Sequence, residues 1–254
     1  MPQSAIQSNC LLIDFTGFLC VNCPLAADEA QRLHNAYPDN LVVVAMHPED
    51  NPFTNTSLEK YDYTCPEANV YYNYFGGSTS TPFPTGIVDF HSEWLDYPSW
   101  AAEVRESMMQ KKCGNVDVEV SNCNANDRSF SFSLVASVQP TAKVKAGELV
   151  ETQVLLWLVA DSIIGGQELP DGSTDLTYIH RHMLRASVLD DPWGWTVTCE
   201  AGESAIHTRI RDYKITDDIG GYVPGIDDYS LVAVMLEAET KELLDVKQIK
   251  LKCD

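Results

Sequence analysis

The chain has 254 residues, 44% of them hydrophobic, and a formal net charge of −20. That length holds one large or two ordinary domains with a sizeable core. The acidic excess argues against a nucleic-acid partner, because phosphate would be repelled. The longest apolar run, Val154 to Ala160, falls far short of the ~20 residues a membrane-crossing helix needs.

The start, Met1-Pro2-Gln3-Ser4, shows no secretory signal and reads as the cut edge of a mature or engineered chain. Cys10 to Phe15 is apolar except for Asp14, as in a strand buried on both faces. Cys20-Val21-Asn22-Cys23 follows, and then a helix is predicted over Pro24 to Tyr37, with Ala26, Ala30, Leu33 and Tyr37 on one face. Pro24 suits an early helical position, where its missing N–H costs nothing. Leu41 to Met46 is a second buried strand, parallel to the first if the helix is a right-handed crossover.

A long connection runs from His47 to Thr64. A helix over Pro66 to Phe75 ends at Gly76-Gly77. A strand over Thr85 to Phe90 pairs with Trp94 to Tyr97 as a hairpin. Ser99 opens a helix through Lys112, with Ala101, Ala102, Val104 and Met108 as inner residues. From Cys113 onward the pattern has period two and little helix. Strands are predicted over Phe130 to Val138, Leu149 to Ala160, Tyr178 to Arg185, Ser204 to Ile215, Leu231 to Ala238 and Val246 to Leu251. Gly- and Pro-containing turns separate them, Gly165-Gly166 and Gly220-Gly221 among them. Six to eight such strands argue for a β-sandwich. The expected organisation is an α/β domain over residues 1–112 and an all-β domain over 113–254.

Eight cysteines are many for a cytosolic chain and few for a disulfide scaffold of this length. Cys20 and Cys23 stand at a strand-to-helix junction. Unpaired N–H groups and the helix dipole at a helix N-terminus favour a thiolate at Cys20, and Cys23 one turn inside is close enough for a disulfide. Asp14 lies six residues before Cys20 inside an apolar strand. Burial raises a carboxyl pKa, so Asp14 is a candidate proton partner for a thiol. Thr81-Pro82-Phe83-Pro84-Thr85 enters the next strand through Pro84, a fitting place for a cis peptide bond.

Leu12-Ile13-Asp14-Phe15, Cys20 to Cys23 and Phe83-Pro84-Thr85 together resemble the thioredoxin pattern in order and spacing. The resemblance implies that Cys20 attacks, Cys23 resolves, Asp14 accepts the proton and Pro84 is the cis-proline. Leu19 replaces the usual Trp and Val21-Asn22 the usual Gly-Pro, so redox direction is left open. A permanent structural disulfide stands as the other reading of the same pair. This chemistry calls for no cofactor. Half a zinc site is the third reading, and no second Cys/His pair stands at ligand spacing in this half. His47 and Cys65 read first as an ordinary rim residue and a passive helix-start cysteine.

A wider pattern comprises Asp14 to Pro24, Val43 to His47, Leu158 to Ile163 with Gln167, Tyr178 to Arg185, and Trp193-Gly194. It resembles the twenty-eight-kilodalton outer membrane protein family of Gram-negative anaerobes. The resemblance implies a thioredoxin-like domain followed by an immunoglobulin-like sandwich, export to the periplasm or outer membrane, and a lipid anchor outside this sequence. It implies no proven reaction. The partners in view are protein thiols or disulfides, or a surface protein or glycan. If a metal is bound, His180 and His182 on one strand face are the residues placed to hold it, with Asp161 or Asp190 as a carboxylate. The plainer reading is a polar strand face. Arg185 reads as an ion-pair residue. Asp217-Asp218 and Asp227-Asp228 read as solvated turns without a calcium-loop spacing.

Overall fold

The computed structural model describes residues 6–54, 62–90, 93–219 and 222–253. The elements run β1 (Cys10–Phe15), α1 (Cys23–Ala36), β2 (Leu41–Met46), a 3-10 turn at Pro52–Thr54, α2 (Pro66–Tyr74), β3 (Thr85–Val88) and α3 (Tyr97–Met109). Strands follow: β4 (Gly114–Asn124), β5 (Ser129–Val138), β6 (Leu149–Ala160), β7 (Ile163–Glu168), β8 (Thr174–His180), β9 (Met183–Ser187), β10 (Trp195–Glu200), β11 (Ile206–His207), β12 (Arg211–Lys214), β13 (Tyr229–Glu237) and β14 (Leu243–Lys250).

All six residues of β1 and all six of β2 are buried, and the two strands pair in parallel. Helix α1 supplies the crossover. It buries Cys23, Ala26, Ala30 and Leu33, a three-and-four spacing that keeps one stripe on the sheet. On that face Leu12, Leu41 and Val43 meet Ala26, Ala30 and Leu33 of α1 and Trp100, Val104 and Met108 of α3. Trp100 packs against β3, where a Cβ on Gly86 would lie 2.6 Å from the Trp100 ring nitrogen. The opposite face carries Leu11, Ile13, Phe15, Val42, Val44 and Met46 against Ala68, Tyr71 and Tyr72 of α2.

β3 pairs antiparallel with β1 and bridges to Leu95 through Gly86. It stops at Val88 rather than Phe90, because Asp89 and Phe90 both turn left-handed, with φ of 53° and 60°. Asp89 holds that turn by accepting from the Leu11 N–H at 2.9 Å and from Lys112 Nζ at 2.7 Å.

The change at residue 112 is a change of element type and not a break in the sheet. The long sheet has the order β14-β13-β6-β9-β2-β1-β3, with β10 also on β6. The joint between first-half and second-half strands is a parallel β2–β9 contact at Ala45 and Met183. A second sheet of β4, β5, β11 and β12 packs against β6 and β13 through Val116, Phe130, Phe132, Leu134, Leu156, Leu158 and Leu231. On the far face, Trp157 of β6 donates to the Tyr71 hydroxyl of α2 at 2.8 Å, so the core crosses the residue-112 line as well.

The second half holds more and shorter strands than its pattern suggests. The described residues contain eleven strands from β4 to β14. Gly165-Gly166 lies inside β7, not in a turn. The predicted strand Tyr178 to Arg185 is split into β8 and β9 by His182 at φ 56°. Ser204 to Ile215 is two short edge strands. The Gly220-Gly221 turn lies outside the described residues. No helix among the described residues is long and apolar enough to cross a membrane.

Candidate functional site at the Cys20–Cys23 disulfide

The chain leaves β1 through Thr16, whose N–H still reaches Met46 O at 3.0 Å, and turns at Gly17. Only glycine fits there: a Cβ on Gly17 would lie 2.5 Å from the Phe53 carbonyl oxygen. That approach lets the Pro52–Thr54 turn accept from the Leu19 N–H at 3.0 Å. Cys20 N–H then donates to Gly17 O, and Cys23 N–H to Cys20 O, each at 3.1 Å. The resulting coil brings the two cysteines to a Cα separation of 5.3 Å, within the ordinary disulfide range, and they are bonded.

Cys23 is the first residue of α1 and Pro24 the second. The sequence placed Cys20 at the helix N-terminus and Cys23 a turn inside, so both stand earlier than expected. Both cysteines are 1% exposed, and the loop shows solvent mainly Val21 and Asn22. Burial of the first cysteine departs from the exposed position that reactive thiols usually hold. The Phe83–Pro84 peptide is cis. Thr85 pairs with Phe15, so Pro84 stands on the rim where β1 gives way to the disulfide loop, and Phe83 packs in the cluster that holds both cysteines.

Asp14 and Cys23 line one cavity of about 40 Å³, together with His47, Gln167, Tyr178 and His180. Asp14 is 2% exposed, and its Oδ1 finds no hydrogen-bond partner among the described residues. Loss of hydration pushes its pKa up to about 7. His47 is buried beside it, with Nδ1 unpartnered among the described residues. Burial, then His180 and Arg185, hold its pKa well below the usual imidazole range. His180 joins its Nε2 to Gly166 O at 3.1 Å, and burial brings it down to about 4. Tyr178 is pushed up to about 12 by burial and by the carboxyls of Asp28 and Asp14.

The roof of this cavity comes from the second half. β7 and β8 form a two-stranded sheet of their own. Gln167 Nε2 donates to Cys20 O at 3.1 Å and to Gly17 O at 3.4 Å, and the Glu168 N–H donates to Phe18 O at 2.8 Å. These bonds span about 150 residues of sequence, and no local pattern announces them. Gln167 and Tyr178 carry no sequence-derived site role. Their only signal is membership of the motifs quoted for the wider resemblance.

The other candidates disperse. His182 lines the same cavity, but it sits at the β8–β9 break and not on a strand face with His180. Its ring lies 3.5 Å from Asp161 Oδ1, which accepts instead from the His182 N–H at 2.8 Å. Burial brings His182 down to about 4 although Asp161 pulls the other way. Asp190 is exposed. Among the described residues no group of three His, Cys, Asp or Glu side chains is spaced to hold a metal ion. Asp217 is taken by Arg185 at 3.0 Å and by the Tyr229 hydroxyl at 2.8 Å, an ion pair that also ties Arg185 to Tyr63 O at 2.7 Å. Cys65 is buried, donates to Leu184 O at 3.4 Å, and has its thiol pushed up to about 12, which makes it inert. A second disulfide, Cys123–Cys253, ties the end of β4 to the C-terminal segment. Cys10, Cys65, Cys113 and Cys199 are free and buried.

Among curated proteins, none matches the chain. Among solved structures, HBP35 of Porphyromonas gingivalis is similar at 16% identity, with a TM-score of 0.66 over 97% of this chain and 76% of that one. A structural-genomics target from Agrobacterium tumefaciens is similar at 13% identity, with a TM-score of 0.53 over 98% and 99%. At these identities the likeness concerns the fold alone. A domain of the outer membrane lipoprotein Omp28 of Porphyromonas gingivalis overlaps 56% of this chain and 89% of its own at 16% identity and a TM-score of 0.38. The family model described as outer membrane protein Omp28 matches residues 68–254, across the residue-112 line and most of the chain. The chain belongs to the Omp28 outer membrane protein family and is an exported protein of the periplasm or outer membrane.

Proposed function

We propose that this envelope protein exchanges disulfides with protein thiols through Cys20 and Cys23. The reading takes β1, α1, β2, α2, β3 and α3 as a thioredoxin-like unit whose sheet continues into an immunoglobulin-like sandwich. The parallel β1–β2 pair, the antiparallel β3 and the two facing sheets of the second half support it. The observation that carries the function is the shared cavity of Asp14 and Cys23. A carboxyl whose pKa is about 7 is half protonated at neutral pH, so it both takes and returns a proton there.

In the reduced protein, the Cys20 thiolate attacks one sulfur of a partner disulfide. A Cys20–partner disulfide forms and the partner's other sulfur leaves as a thiolate. Cys23 then gives its proton to Asp14 and attacks the Cys20 sulfur. The Cys20–Cys23 bond forms and the second partner thiolate leaves. The partner gains two electrons and the cysteine pair loses two. The reverse sequence, begun by a partner dithiol, oxidises that partner.

The test is electron transfer from the reduced protein to a disulfide-bonded protein such as insulin, with Cys20→Ser and Cys23→Ser beside it. The expected result is turnover by the wild type, none by Cys20→Ser, and a stable Cys20 mixed disulfide in Cys23→Ser. No turnover, with a pair potential below about −300 mV, overturns the proposal. Burial of both sulfurs favours the second reading, a binding or structural envelope protein with a fixed disulfide, and that outcome would establish it.

A further inference from the structure

The roof of the Asp14–Cys23 cavity is built unlike the rest of the molecule. β7 and β8 pair with each other and with neither large sheet. Gln167, Tyr178, Ile179 and His180 of the hairpin line the cavity, and Ile163 at its base is packed into the apolar core. Ile164 and Leu176 of the hairpin are exposed. At the base, both ends of the hairpin pass through left-handed residues, Ser162 at φ 61° and His182 at φ 56°. Asp161 pins that base by accepting from the His182 N–H at 2.8 Å and donating its own N–H to Asp228 O at 2.8 Å. The residues at the tip, Pro170 to Ser173, are exposed. Between pinned base and exposed tip, the polar ties to the disulfide loop among the described residues are those of Gln167 and the Glu168 N–H.

We infer that the β7–β8 hairpin is a hinged cover over the Asp14–Cys23 cavity, with Gln167 as the latch that also holds the Cys20 loop in place. Gln167 is a positioning residue: its amide touches carbonyl oxygens of the loop and no sulfur. Breaking its two hydrogen bonds leaves the Glu168 N–H to Phe18 O bond as the remaining polar tie, weakens the hold on the hairpin so that it swings open on its base more often, and frees the Cys20 and Gly17 carbonyls. The inference deepens the exchange reading and rests on it for its purpose, since a cover regulates only a reactive disulfide. Its test does not depend on any protein partner.

The experiment treats the whole oxidised protein with dithiothreitol. Its thiolate attacks Cys20, and its second thiol then displaces Cys20 to leave two protein thiols and the cyclic oxidised reagent. Alkylation and peptide mapping time the loss of each disulfide. Gln167→Leu, which keeps the bulk and removes the donor, should reduce Cys20–Cys23 about tenfold faster, the size expected for losing such a hydrogen-bonding amide. Cys123–Cys253 is the internal control and should reduce at the wild-type rate. Amide hydrogen exchange should quicken at Ile163 to His180 and stay slow in β1 and β6. An unchanged Cys20–Cys23 rate overturns the inference. So does a rise shared by both disulfides or accompanied by faster exchange throughout the sheet, because either marks global loosening. In the wild type alone, a hairpin as protected from exchange as β6 also overturns it.

Discussion

The two disulfides mark two regions that use the same bond for different ends. Cys123–Cys253 closes a separation of 130 residues and joins the β4 end of the sandwich to the last residues of the chain. Cys20–Cys23 closes a separation of three, inside a coil already held by backbone hydrogen bonds, a glycine contact and a hairpin latch. Loop-closure entropy grows with the number of residues enclosed, so the long bridge contributes about 5 kcal/mol and the short one about 2. The short bridge shares a cavity with a buried carboxyl, that of Asp14. Under the proposed exchange reading, position in the fold, not the bond, separates a staple from a site of chemistry.

The largest effect that would sharpen this contrast comes from Cys123→Ala with Cys253→Ala. Denaturant unfolding should show a loss of about 5 kcal/mol, with Cys20–Cys23 intact by mass. Next is Asp14→Asn. The folded pKa of about 7 lies above the ordinary 3.8, so the native state binds the Asp14 proton more tightly than the unfolded chain. Stability therefore falls as pH rises from about 4 to 7. Removing the charge should stabilise the protein by as much as about 4 kcal/mol at pH 8, with the gain fading toward pH 4. A gain independent of pH would detach Asp14 from the proton role. The smallest effect is that of Cys20→Ala with Cys23→Ala, about 2 kcal/mol lost in the same unfolding assay. A loss equal to that at Cys123–Cys253 would erase the distinction between the two regions.

The first half was largely legible because its signals are local. β1 and β2 are continuous apolar runs, and the 3.6-residue stripe of α1 names its own buried residues. The Asp14, Cys20 and Cys23 spacing follows one strand-to-helix path and needs no distant contact, while Pro84 reaches the site through the β1–β3 pairing. Trp100 escaped notice as a core residue of α3 because its partner, Gly86, is known only once β3 is placed. The second half was legible in kind and not in detail. Period two marks a strand but not its neighbours, so neither the joining of β9 to β2 nor the split at His182 could be read. The roof of the site was invisible for the same reason. Gln167 reaches Cys20 by a contact that depends on the whole sheet order.

The four free cysteines carry a consequence for how such a protein must mature. Cys10, Cys65, Cys113 and Cys199 are buried, and burial raises every one of their thiol pKa values. Once folded they are sheltered from oxidants. Before folding they are not, and eight cysteines admit on the order of a hundred complete pairings. In an oxidising compartment, closure of the hydrophobic layers must outrun random sulfur coupling. The apolar strands β1 and β2 thus guard the molecule's covalent fidelity as well as its shape.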